Sequence, residues 1–214
     1  MRKSLSFKQE LAYAAGMMGW SVMTNIIIVM LPYFYLPPTN AGLPPLVPQL
    51  VLFGFFNILS LIAASGRLAD AIYDPFIASR SDGSKNPNGR RIPYMKWAIL
   101  PAVIFCSLVF MPITKSEDLS NAWWLAVVLC LFFVAVTTYI IPYNALLAEL
   151  TETNEQKIKL STLQQVGFVL GIIFSALTNN FADLIQDLFL VTERIHAVQY
   201  TIWGLSAFSG LVML

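Results

Sequence analysis

Gly66-Arg67-Leu68-Ala69-Asp70-Ala71-Ile72-Tyr73-Asp74-Pro75 is the stretch on which the reading of this chain turns. It closes a run from Leu11 to Gly66 that holds no charged residue, and then places three ionisable groups within eight positions. Arg67, Asp70 and Asp74 stand at i, i+3 and i+7. At about 100° of helical rotation per residue, that spacing puts all three on one stripe.

The surrounding composition says what medium the stripe sits in. Of 214 residues, 57% are apolar and only 12% charged, against about 45–50% and about 25% in soluble domains. Thirteen Lys and Arg and twelve Asp and Glu leave a net charge of +1, which supplies no field for nucleic acid. Cys106 and Cys130 lie inside apolar runs and read as small hydrophobes, and a lone His196 builds no metal cluster. Further uncharged runs cover 97–113, 119–148, 160–182 and 197–214. Runs of about 20 apolar residues are membrane spans, because the backbone in hydrocarbon must satisfy its own polar groups.

The expectation is an all-α polytopic membrane protein with six transmembrane helices, at about 10–36, 49–79, 93–114, 119–149, 158–182 and 195–214. Pro37, Pro38, Pro44, Pro45 and Pro48 mark the first loop. Arg2, Lys3 and Lys8 resemble the charged start of a signal peptide, but the long apolar run without a cleavage pattern fits a permanent span. Counting Lys and Arg by loop gives ten on one side: Arg2, Lys3, Lys8, Arg80, Lys85, Arg90, Arg91, Lys96, Lys157 and Lys159. Lys115 and Arg194 are alone on the other, so the N-terminus is expected to be cytoplasmic in a cell-membrane protein. The sequence stops at Leu214 inside an apolar stretch, and the six helices, residues 1–214, are expected to form the N-terminal half of a twelve-helix bundle. A C-terminal six-helix half or a second copy would complete it.

Three ionisable groups facing lipid would cost roughly 8–10 kcal/mol, at about 2.5–3.5 kcal/mol each, so the stripe must turn toward protein or a wet cavity. Arg67 neutralising Asp70 as a packing device is one account. The other follows from two acids facing one base: a carboxylate short of counter-charge binds a proton or a hard cation such as sodium. Thr137 and Asn144, seven apart on helix 4, are polar partners at the same depth. Thr137 could join Asp70 and Asp74 in an oxygen cage, and Asn144 could meet a polar solute. Trp20, Ser21 and Asn25 on helix 1, Tyr143 on helix 4, and Gln164 and Gln165 on helix 5 are further polar or aromatic groups in the membrane. With Arg67, the candidates for solute binding are Trp20, Asn25, Tyr143, Asn144 and Gln164.

Arg67, Asp70, Ala71, Asp74 and Pro75, followed by Asp82, Lys85, Gly89, Arg90, Arg91 and Pro93, resemble the signature of the glycoside-pentoside-hexuronide:cation symporters, the melibiose-permease branch of the major facilitator superfamily. Pro142, Tyr143, Ala145, Leu146, Leu147, Glu149 and Leu150, with Glu155 and Leu160, resemble that family's helix 4–5 junction. The resemblance covers the whole chain as an N-terminal half. It implies that Asp70 and Asp74 bind the coupling cation, as metal ligands if that cation is sodium, with Thr137 as a hydroxyl ligand. It also implies that Asp82, Arg90 and Arg91 form a cytoplasmic latch between the halves, although the positive-inside rule alone explains these basic residues. Tyr73 stands where the sodium-coupled melibiose permease carries an asparagine ligand, which favours a proton. The family's galactoside-binding positions fall at Ser21, Ile140 and Gln164, none of which keeps the family's chemical type.

The expected function is cation-coupled symport of a sugar, glycoside or other polar organic solute by alternating access, with no cofactor beyond a coupling H+ or Na+ and no enzymatic activity. A non-transporting membrane scaffold or receptor is an alternative. An intramembrane aspartyl protease would need its two acids on opposed helices, whereas here both lie on one.

Overall fold

The computed structural model describes residues 5–49, 51–52, 56–84 and 89–214; Arg2, Lys3 and Lys85 of the positive-side count fall outside them. The described residues form seven α-helices: α1 (Phe7–Tyr35), α2 (Ile58–Asp82), α3 (Ile92–Val109), α4 (Leu119–Leu150), α5 (Asn154–Ala176), α6 (Thr178–Phe189) and α7 (Arg194–Met213). Between α1 and α2, β1 (Val51–Leu52) pairs antiparallel with β2 (Phe56–Asn57). Four helices, α1, α3, α4 and α5, are long and apolar enough to cross a membrane by themselves. The charges of α2 lower its apolarity, as the opening stretch requires. The fold is an all-α polytopic membrane bundle.

Helix starts follow local chemistry. Asn57 Oδ1 accepts the Ser60 N–H at 2.7 Å and caps α2. Helix 2 therefore begins at Ile58, later than the expected residue 49. Asp118 accepts the Ser120 N–H at 2.6 Å at the head of α4. At α5, Thr153 accepts the Gln156 N–H at 3.2 Å while Gln156 Oε1 takes the Thr153 N–H at 3.4 Å, a reciprocal capping box that starts the helix at Asn154 and not near 158.

The six expected spans correspond to α1–α5 and α7. The fifth ends at Ala176, short of the expected 182, and the chain continues as a separate helix, α6, whose residues 183–189 were expected in a loop. Thr178 turns its hydroxyl back onto the Ser175 carbonyl at 2.6 Å, at the junction of the two helices.

Small residues bring the helices together, the packing mode available where lipid removes the hydrophobic drive between helices. A Cβ on Gly167 of α5 would lie 2.2 Å from the Ala14 carbonyl oxygen of α1, and one on Gly171 would lie 2.5 Å from Ser21 Cβ. Ser21 adds a hydrogen bond to the Phe168 carbonyl at 2.7 Å. These contacts advance in the same direction along both helices, so α1 and α5 run parallel. Contacts at Val103–Gly210 and Ser107–Ser206 (Oγ to Oγ 3.0 Å) run α3 antiparallel to α7. Met23, Ile26, Met30, Phe34, Phe110, Leu125, Leu129 and Phe132 fill the centre and are fully buried.

Candidate functional site

Glycine decides where the opening stretch comes to rest. A Cβ at Gly66 would meet the Phe133 ring at 2.5 Å, so only glycine lets α2 lie this close to α4. One turn further along both helices, Thr137 donates its hydroxyl to Asp70 Oδ1 at 2.6 Å. The residue pairs 66–133 and 70–137 step in register, so α2 and α4 run parallel and their polar stripes meet at one depth.

A cavity of about 280 Å³ opens there. Arg67, Asp70 and Asp74 line it from α2, Thr137 and Asn144 from α4, and Trp20 from α1. Phe133, Val136, Ile140 and Ile141 complete the α4 wall, and Thr24 the α1 wall. The α4 lining, 133, 136, 137, 140, 141 and 144, is one helical face read at steps of three and four. The three helices thus converge their polar stripes on a single space.

Within it the charges are unevenly matched. Arg67 Nη1 stands 3.7 Å from Asp70 Oδ2, longer than a hydrogen bond, and its guanidinium lies over the Phe133 ring at 5.0 Å from the centroid. More than half of the Arg67 side-chain surface is exposed (56%), against 21% for Asp70. Asp74 has no ion-pair partner among the described residues. Pro75 lacks an N–H, which leaves the Ala71 carbonyl without its helical donor beside the acids.

The other solute-binding candidates separate into two groups. Trp20 and Asn144 line the cavity, and Gln164 stands behind Asn144, donating from Nε2 to Asn144 Oδ1 at 2.9 Å. Asn25 and Tyr143 do not line it. Asn25 Nδ2 donates to the Ser21 carbonyl at 2.8 Å, and the Tyr143 hydroxyl donates to the Tyr13 carbonyl at 2.6 Å while the two rings stack at 4.4 Å. The lining residues Phe133 and Thr24 have no role in the sequence reading. Phe133 lies four residues before Thr137, so extending the α4 stripe by one turn would have reached it.

The latch candidates gather at the end of the bundle where α4 stops and α5 starts. Arg91 pairs with Asp82 at 3.0 Å and with Glu149 at 3.1 Å, and Arg90 also pairs with Glu149. Glu149 thus ties the end of α4 to the loop before α3. At the same end Lys159 of α5 holds the buried Glu10 of α1 at 2.7 Å. At the opposite end Lys115 bridges to Glu193 at 3.0 Å, and Arg194 pairs with Asp183. The hydrogen bond from Lys115 holds the Glu193 carboxyl below its ordinary pKa.

The profile described as MFS/sugar transport protein matches residues 12–208. The chain belongs to this family. It is 29% identical over 178 residues to an uncharacterized symporter of Synechocystis sp., covering 81% of the chain and 30% of that protein. To the inner membrane symporter YicJ of Escherichia coli it is 27% identical over 170 residues, covering 78% and 33%. To the sodium-dependent lysophosphatidylcholine symporter 1 of Xenopus tropicalis it is 26% identical over 177 residues, covering 79% and 31%. The chain spans about a third of the length of these relatives. The resemblance drawn from helix 2 to symporters of the major facilitator superfamily is borne out, and the relatives are named as transporters and not as enzymes.

Proposed function

We propose that this chain is the cation-coupling half of a secondary transporter that carries a sugar, glycoside or other small polar solute by alternating access, with its N-terminus in the cytoplasm of the cell. The observation that carries this is the cavity lined by Asp70, Asp74 and Thr137, in which the one arginine, Arg67, stands 3.7 Å from Asp70. Two acids against one long-range base leave a net negative site, and a proton or sodium ion is the charge that balances it. Asp70, Asp74 and the Thr137 hydroxyl offer oxygen, which suits a hard cation, and the carboxylates suit a proton equally.

Coupling follows from the cost of an uncompensated acid. Closing the cavity over two bare carboxylates is unfavourable in low dielectric, and a bound cation removes that penalty. Solute would then enter beside the occupied acids, with Arg67, Trp20 and Asn144 as its contacts and Gln164 holding the Asn144 amide in place. One cation moving through about 100 mV supplies about 2.3 kcal/mol, enough for roughly 50-fold accumulation. The Asp82–Arg91–Glu149–Arg90 cluster is the cytoplasmic face on which the other half latches and from which it parts as the halves rock.

The test is uptake into proteoliposomes holding the protein that contains this chain, with radiolabelled sugars and glycosides screened under a proton gradient and a sodium gradient imposed separately. The expected result is accumulation driven by one of the two gradients and lost in Asp74→Asn. Accumulation in Asp74→Asn equal to wild type would refute the assignment.

A further inference from the structure

The twelve residues of α6 divide into three sectors, and two of them are occupied within the chain. Thr178 and Ala182 are buried on the α7 side. Asp183 pairs with Arg194, and Gln186 Oε1 accepts from Arg194 Nη1 at 3.2 Å, so the polar sector is fixed against the start of α7. These contacts set the rotation of the helix. The third sector runs through Leu177, Phe181, Leu184 and Leu188, at steps of four and three and therefore within about 60° of arc. Leu184 is 53% exposed and Leu188 67%. Phe189 and Leu190 extend the patch beyond the helix end. Leu190 sits at φ 50°, a left-handed turn that glycine serves better, and is 84% exposed.

The height of α6 follows from α5. Lys159 marks one membrane boundary, and from there to Leu177 the helix axis rises about 27 Å at about 1.5 Å per residue, close to the roughly 30 Å of hydrocarbon. The chain therefore reaches the opposite boundary as α6 begins. Ile172, Ile173 and Leu177 carry an exposed apolar strip along α5 up to that point.

We infer that α6 is an in-plane helix seated on the bilayer, with Leu184 and Leu188 sunk into the boundary between headgroups and acyl chains on the face opposite Lys157 and Lys159. The occupant of its open sector is lipid and not a protein surface. An amphipathic helix with acids outward and leucines inward lies in this plane with its apolar side below the headgroups. Arg194 neutralises Asp183 and Asp187 is the other charge of α6, so the helix presents no excess of positive charge to draw anionic lipid.

Nitroxide side chains introduced singly at L184C, L188C and D187C, in the protein carrying C130S with any other exposed thiol outside this chain removed, read this directly. Cys106 is buried and stays. The sites to be labelled are exposed, so the label displaces no core packing. In phosphatidylcholine vesicles, labels at 184 and 188 should relax with oxygen and ignore a water-soluble nickel chelate, while a label at 187 should do the reverse. Ready access of nickel to 184 and 188 would place that face in water. Exclusion of both reagents there would mean that protein covers it. Either result overturns the inference.

Discussion

Thr137 donates its hydroxyl to Asp70 at 2.6 Å, a strong hydrogen bond. Hydrogen bonds to charged groups contribute about 1.5–3 kcal/mol, so Thr137→Val should shift the cation concentration for half-maximal uptake by roughly 10- to 100-fold, upward for sodium, which loses a ligand oxygen, and downward for a proton, because the lost bond had stabilised the bare carboxylate, while Thr137→Ser stays near wild type. Titration of uptake against the driving cation checks both. Asp70, Asp74 and Thr137 could be singled out from sequence because helical spacing alone puts each set on one face. That these faces lie within hydrogen-bond reach of each other could not, since it depends on Gly66 admitting the Phe133 ring. Asn25 and Tyr143 show the converse. As residue types they resemble solute contacts, yet each spends its polar group on a backbone carbonyl that no sequence pattern announces.

At the scale of elements, the α1–α5 seam depends on glycine more than on any apolar contact. An alanine at Gly167 would place its Cβ 2.2 Å from a backbone oxygen, which a side-chain rotation cannot relieve. Gly167→Ala should destabilise the fold by about 1–3 kcal/mol. Gly204→Ala meets nothing within 4 Å and should be neutral or gain up to about 1 kcal/mol from helix propensity. Thermal unfolding in detergent compares them. The Asp118 cap on α4 makes a second element-level expectation. The Ser120 N–H holds the Asp118 carboxyl below its ordinary pKa, so its contribution is complete above the unfolded value and disappears as pH falls through the folded one. Asp118→Ala should therefore lower the melting temperature at pH 7, and the gap from wild type should narrow as the pH falls below the ordinary carboxylate range. The long spans were legible because absence of charge over twenty residues has one physical meaning. α6 was not, because twelve residues with two acids never pass as apolar, and its third of apolar surface shows only at helical period. The start of α2 was not legible for a related reason: the sequence over 49–57 is as apolar as a span, and the Asn57 side chain that caps α2 is not part of any apolar pattern.

For the whole molecule, the arrangement of charge organises the account. One end holds the Arg90–Arg91–Glu149–Asp82 and Lys159–Glu10 ties, the other the Lys115–Glu193 and Arg194–Asp183 pairs, and the unbalanced acids lie between them in the cavity. These ties hold the chain together as one body, as rocking of one half against the other requires, and leave its centre under-neutralised. The measurement that bears on this most directly is ion movement on adding a solute from the uptake screen to lightly buffered proteoliposomes, read as external alkalinisation for protons or as ²²Na entry for sodium. Wild type should move one of these ions with the solute, and both Asp70→Asn and Asp74→Asn should move neither. Solute entry without either ion in wild type, or undiminished ion movement in the two variants, would contradict the account.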